Sequence, residues 1–103
     1  MEQIDVMKQL IQRYSNTLSL SLTADDVDQA FAEGKIASMM GVEGGHSIDS
    51  SLGALRMFYD LGARYMTLTH SCNTPWAESS VSDEGLGLSA YGEQVIAEMN
   101  RLG

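Results

Sequence analysis

Two stretches of this chain follow one plan: a helical pattern stops at a glycine, a basic residue follows, and a short apolar run ends on a side chain able to do chemistry. In the first, residues 35–47, KIASMMGVEGGHS, Gly34 and Lys35 lead into Ile36, Ala37, Met39, Met40 and Val42, and the run closes on Glu43. In the second, Gly62 precedes residues 64–70, RYMTLTH, which begin at Arg64 and finish on His70. A nearly continuous apolar run suits a strand covered on both faces, as in a parallel sheet. The plan is the βα repeat of a parallel α/β fold, in which ligands lie beyond the carboxyl ends of the strands. Glu43 and His70 are therefore expected at the carboxyl ends of adjacent strands.

The remaining patterns fill in the helices. Ile4, Met7, Leu10 or Ile11, and Tyr14 share one helical face and predict a packing helix. LSLSL at residues 18–22 reads as a short strand, and Thr23 with Asp26 reads as a capping box. The helix that follows turns Val27, Ala30 and Phe31 inward and stops at Gly34, while Asp25, Asp26 and Asp28 are solvated carboxylates at its start. A third helix is predicted over 50–61, capped by Asp49 or Ser50, with Leu52, Leu55, Phe58 or Tyr59, and Leu61 inward and Gly62 as its stop. A fourth begins near Ser89, with Tyr91 or Gly92, Val95, Ile96, Met99 and Leu102 inward. Gly103 stands where Gly34 and Gly62 stood, so the repeat predicts a further strand. A complete eightfold barrel takes about 250 residues, and the chain reads as a segment of such a sheet or barrel. Outer strands cut from a barrel leave apolar surface unburied.

Composition narrows the partners. The 103 residues allow no more than one small domain, and six basic against fourteen acidic residues, a formal charge of -8, disfavour nucleic acid and anionic lipid. No apolar run approaches the roughly 20 residues of a membrane span. Cys72 is the only cysteine, which excludes an internal disulfide, a zinc ribbon and a CxxC motif.

Three residues carry candidate chemistry. Desolvating a carboxylate among apolar neighbours costs several kcal/mol, so Glu43 should meet a cation, a metal or donors; a helix cap or a surface ion pair stays open beside the metal. Gly44 and Gly45 are expected to leave its surroundings open. His70 is either a hydrogen-bonded structural residue or a reactive one, and His46 is expected to make a structural hydrogen bond in its loop. Residues 71–87 form a polar loop long enough for a lid or linker, anchored by Trp76 through packing or ligand contact.

The run GVEGGHSIDSSLGALRMFYDLGARYMTLTHSCNTPWA, residues 41–77, closely resembles the membrane dipeptidase family, also called renal dipeptidases. The resemblance extends more weakly through MEQIDVMKQLIQRY and GLSAYGEQVIAEMNRLG, and so over essentially the whole chain. It implies a zinc hydrolase on a (β/α)8 barrel, with residues 1–103 as roughly the second to fourth βα units, incomplete at both ends. It makes Glu43 the carboxylate that bridges two zinc ions, and His70 a residue that assists the substrate or the tetrahedral intermediate without ligating metal. The implied substrate is a dipeptide. A homodimer is left open for the complete enzyme, which is anchored at the extracellular membrane face or is soluble in members without an anchor.

The departures also have consequences. The family's first-strand His-x-Asp pair, its two later strand-end histidines, and its later substrate-binding Arg and Asp have no counterpart here. The isolated chain is therefore expected not to hold a two-metal centre or to hydrolyse dipeptides. Cys72 matches a cysteine that is disulfide-bonded in membrane-bound members; its partner would lie upstream of Met1, leaving a free thiol here. Two other readings stand beside the enzyme: a non-catalytic truncated segment or interaction fragment, and a small anion-binding module using the GVEGGHS loop.

Overall fold

Hydroxyl side chains set where three of the four helices begin, and glycines follow where they end. The computed structural model describes residues 1–103 and contains α1 (Glu2–Arg13), β1 (Leu18–Leu20), α2 (Ala24–Ala32), β2 (Ile36–Ser38), β3 (Met40–Val42), α3 (Leu52–Asp60), β4 (Ala63–Met66) and α4 (Ala90–Leu102), with one 3₁₀ turn at Gly45–Ile48. Contacts group them into two compact units, Met1–Met40 and Gly41–Gly103. No helix is long and apolar enough to cross a membrane.

In the first unit the capping box forms as predicted. Thr23 Oγ1 accepts the Asp26 amide at 3.1 Å, and the Asp26 carboxylate accepts the Thr23 and Leu22 amides, each at 2.9 Å. At the other end of α2, the Lys35 amide donates to Ala30 and the Gly34 amide to Phe31. That double closure needs a left-handed residue, which Gly34 supplies at φ +70°. The chain is thereby turned directly into β2, which pairs with β1 in parallel register, Leu18 to Ile36 through Leu20 to Ser38.

Two expectations fail in this unit. The apolar run 36–42 is two strands in two separate sheets, because β1 ends at Leu20 and the ladder stops after the Ser21 amide reaches Ser38 O. The face of Phe31 is also wrong: the ring is 85% exposed and Ala30 alone of α2 is buried, while α1 buries no residue at all. Periodicity located these apolar stripes, but the chain supplies no element to cover them.

The second unit carries the core. Ile48, Leu55, Trp76, Ala77 and Val95 form a buried cluster, flanked by Phe58, Met66, Leu68 and Met99. β3 and β4 are hydrogen-bonded neighbours. Val42 O accepts from Thr67 N and Gly45 N donates to Leu68 O, so the pairing advances in the same direction along both segments. α3 makes the crossover. Its cap is Ser51, which accepts from Ala54, and not Asp49 or Ser50. Those two residues instead take left-handed conformations, φ 47° and 51°, in the turn between the 3₁₀ turn and α3, and Tyr91 of α4 donates to Ser50 O at 2.6 Å. At the far end of α3, Arg64 donates to the carbonyls of Tyr59 and Ala63 and stacks 4.1 Å from the Tyr59 ring. The basic residue of the repeated plan here closes a helix end.

α3 and α4 are clamped by Glu98. Arg101 meets it through Nε at 2.7 Å and Nη2 at 2.9 Å, and Arg56 on α3 through Nη1 at 2.9 Å. The hydrogen bonds from Arg101, then from Arg56, hold the Glu98 carboxyl at about 2, against an ordinary 4.5. A depressed carboxylate contributes stability that is present above about 4.5 and lost as pH falls toward about 2. The melting temperature of wild type should therefore exceed that of Glu98→Gln at neutral pH, and the gap should narrow on acidification and close near pH 2; a pH series of thermal melts checks it. A second prediction contrasts two glycines. A Cβ at Gly45 would overlap the Leu68 carbonyl and the Trp76 ring, whereas one at Gly53, exposed on α3, would meet Ser51 Oγ at an ordinary 3.5 Å. Gly45→Ala is expected to destabilise by about 1–3 kcal/mol and Gly53→Ala to stabilise by about 0.4–1 kcal/mol, read from denaturant midpoints.

Candidate functional site

Glu43 is the first residue after β3, and the chain turns immediately behind it. Gly44, at φ +102°, donates its amide to Thr67 Oγ1 at 2.7 Å, and Gly45 donates to Leu68 O at 3.1 Å. β4 ends at Met66 rather than at His70, and beyond it the Thr67 hydroxyl and the Leu68 carbonyl receive the amides of the turning glycines. His70 therefore stands four residues past the strand, not at its last position.

The glycines do not leave the surroundings of Glu43 open. The space over Gly45 is filled by the Trp76 ring, and that over Gly44 by the His46 imidazole. His46 makes its hydrogen bond in the loop through the main chain, its carbonyl accepting the Asp49 amide at 3.1 Å, while its exposed ring lies against Gly44. The amides of Gly44, Gly45 and Ser47 are all spent internally, on Thr67, Leu68 and Gly44 O. An anion nest needs such donors free and convergent, so the loop is not built as one.

The two chemical groups nevertheless meet. Glu43 Oε1 lies 3.7 Å from His70 Nδ1, and the side chains are 76% and 60% exposed. That separation is too long for a hydrogen bond and suits an ion pair when the imidazole is protonated. No protein group hydrogen-bonds the Glu43 carboxylate, so its oxygens are available to a ligand. As a zinc donor set the pair is partial: no three His, Cys, Asp or Glu side chains converge, and zinc in a catalytic site takes three protein ligands. Glu43 fits the role of one carboxylate ligand in a larger set.

The loop beyond His70 is built rather than slack. Thr74 Oγ1 accepts the Ala77 amide at 2.9 Å, Thr74 N donates to Ala77 O, and the turn drives Trp76 into the core at 2% exposure. Of the two roles expected for Trp76, packing is the one it fills. Ala77 then bridges to Leu88, and the Glu78 carboxylate receives the Gly85 and Gly87 amides at 2.9 and 2.8 Å. The Gly87 amide leads the bonds that draw the Glu78 carboxyl below the usual range. Cys72 is free and exposed. Sequence reading missed Thr67, Asn73, Thr74 and Ser79, whose short polar side chains carry these turns; Thr74, three residues before Ala77, is the one with a readable turn signal.

Residues 1–103 match the membrane dipeptidase family, peptidase family M19. An uncharacterized dipeptidase of Schizosaccharomyces pombe is 51% identical over 108 residues, covering all of this chain and 26% of that protein. Dipeptidase 3 of Macaca fascicularis is 48% identical over 109 residues, again covering all of this chain and 22% of that protein. The chain thus spans about a quarter of the length of these relatives. Among solved structures, an amidohydrolase from Pseudomonas aeruginosa superposes with a TM-score of 0.92 at 24% identity, covering 99% of this chain and 31% of that one. The probable dipeptidase PvdM from the same organism gives 0.88 at 23%, covering 96% and 27%. The fold is that of parallel βα units forming part of a (β/α)8 barrel. With residues 1–103 matched throughout, the chain belongs to the membrane dipeptidase family.

Proposed function

We propose that this segment supplies two groups to the active site of a zinc-dependent dipeptidase: Glu43 as a metal-bridging carboxylate and His70 as the imidazole facing the substrate. In this reading residues 1–103 form roughly the second to fourth βα units of the barrel, and other parts of the barrel supply the remaining ligands. The observation that carries it is the 3.7 Å approach of Glu43 and His70, which come from successive βα units, share the carboxyl end of one strand pair and are both open to solvent.

The chemistry a zinc centre supplies when bound is polarisation of the scissile carbonyl and activation of water. Binding and orientation fall to this chain's own residues. Glu43 keeps its carboxylate oxygens uncommitted just past the strand end, where they would serve as metal ligands. Its backbone is fixed by the Gly44 and Gly45 amides on Thr67 and Leu68. His70 presents an imidazole with no hydrogen-bond partner in the chain. It is free to donate an N–H to the oxygen on which charge develops as a dipeptide carbonyl becomes tetrahedral. One such donor is worth ~2.7–4 kcal/mol of transition-state stabilisation.

The two roles separate experimentally in the full-length protein. Glu43→Gln is expected to abolish stoichiometric zinc, measured by elemental analysis, and activity with it. His70→Ala should retain the zinc and lower kcat for dipeptide hydrolysis by roughly 10²–10³-fold. A Glu43→Gln protein with full zinc and full activity would overturn the metal assignment; a His70→Ala protein at wild-type kcat would overturn the second.

A further inference from the structure

His70 lies outside the β-ladder, four residues beyond β4, so strand pairing does not fix its main chain. That task falls to the loop. Ser79, nine residues on, donates its hydroxyl to His70 O at 2.7 Å and is 2% exposed. The direction of this bond is set. A serine hydroxyl has one proton, and Ser79 Oγ also lies 3.5 Å from the Val81 amide, which can only donate, so the proton goes to His70.

Ser79 is itself held from two sides. Its amide donates to Asn73 Oδ1 at 2.7 Å, and the Asn73 amide nitrogen donates to Ser82 Oγ at 3.1 Å, which orients the Asn73 side chain. Two residues earlier, Ala77 is buried in the core beside Trp76 and bridges to Leu88. The hydroxyl that meets His70 is therefore referenced to the core, not to solvent.

We propose that Ser79 is a positioning residue for His70, with Asn73 setting Ser79 in turn; this rests on the reading of His70 as the substrate-facing imidazole. Removing the hydroxyl leaves a main-chain carbonyl next to the imidazole without its partner. The His70 backbone then relaxes, and its side chain moves relative to Glu43. Misplacement on the order of 1 Å in a catalytic constellation costs up to about a hundredfold in rate. A hydroxyl that merely closed the loop would change stability and leave turnover alone.

The test is a double-mutant cycle in the full-length protein, with dipeptide hydrolysis, zinc content and thermal melts measured on Ser79→Ala, His70→Ala and the double variant. Ser79→Ala should lower kcat by about ten- to a hundredfold with little change in KM and with zinc content unchanged. In the His70→Ala background the same substitution should have no further effect on kcat, because its influence runs through the imidazole. Ser79→Cys, which keeps the approximate size and a weak donor, should fall between wild type and Ser79→Ala, and it serves as the variant if Ser79→Ala does not fold. Wild-type kcat in both Ser79 variants, or effects of Ser79→Ala and His70→Ala that multiply, would overturn the inference while leaving His70 in its role. A His70→Ala protein with undiminished kcat would instead overturn the site reading, and this inference with it.

Discussion

Burial of the Trp76 ring is the interaction on which the second unit depends. Aromatic side chains bury about 150–250 Å², which at about 25 cal/mol per Å² contributes roughly 4–6 kcal/mol. The indole N–H has no partner, and an unsatisfied buried donor costs about 1–3 kcal/mol. Packing therefore outweighs the lost hydrogen bond. The ring touches the backbone space of Gly45, its own carbonyl accepts the Ser89 amide at the start of α4, and its neighbours in the cluster come from α3, α4 and the 3₁₀ turn. One side chain thus sets the distance between the turn behind Glu43 and the loop behind His70.

From that anchoring follows the proximity of the two chemical groups. Neighbouring strands in a sheet lie about 4.7–4.9 Å apart, so residues leaving adjacent strands at the same end begin within reach of each other. The 3.7 Å between Glu43 and His70 is of that scale. What the sheet does not provide, the flanking hydroxyls do: the Thr67 hydroxyl accepts the Gly44 amide, and the Ser79 hydroxyl donates to the His70 carbonyl.

The apolar stripes of the first unit show the opposite situation. Met7, Leu10, Phe31 and Ile36 are exposed although their pattern is that of buried positions. In a (β/α)8 barrel each helix and strand is covered by neighbours on both sides, and residues 1–103 contain only some of them.

Local signals in the sequence determined the helices, the parallel βα order and the place of Glu43 directly behind its strand, whereas His70 falls four residues beyond β4. Capping boxes, glycine stops and helical periodicity act over three to five residues, so Thr23 with Asp26, and Gly34, could be read directly. Tertiary structure decided where the strands stop and what the glycines are for. β2 and β3 divide because their partners differ, and past the end of β4 at Met66 the Thr67 hydroxyl and the Leu68 carbonyl receive the amides of residues more than twenty positions earlier. Gly45 is small to admit Trp76, not to open a path to Glu43. Each of these rests on contacts between residues far apart in sequence, which no local pattern of apolar and polar residues encodes.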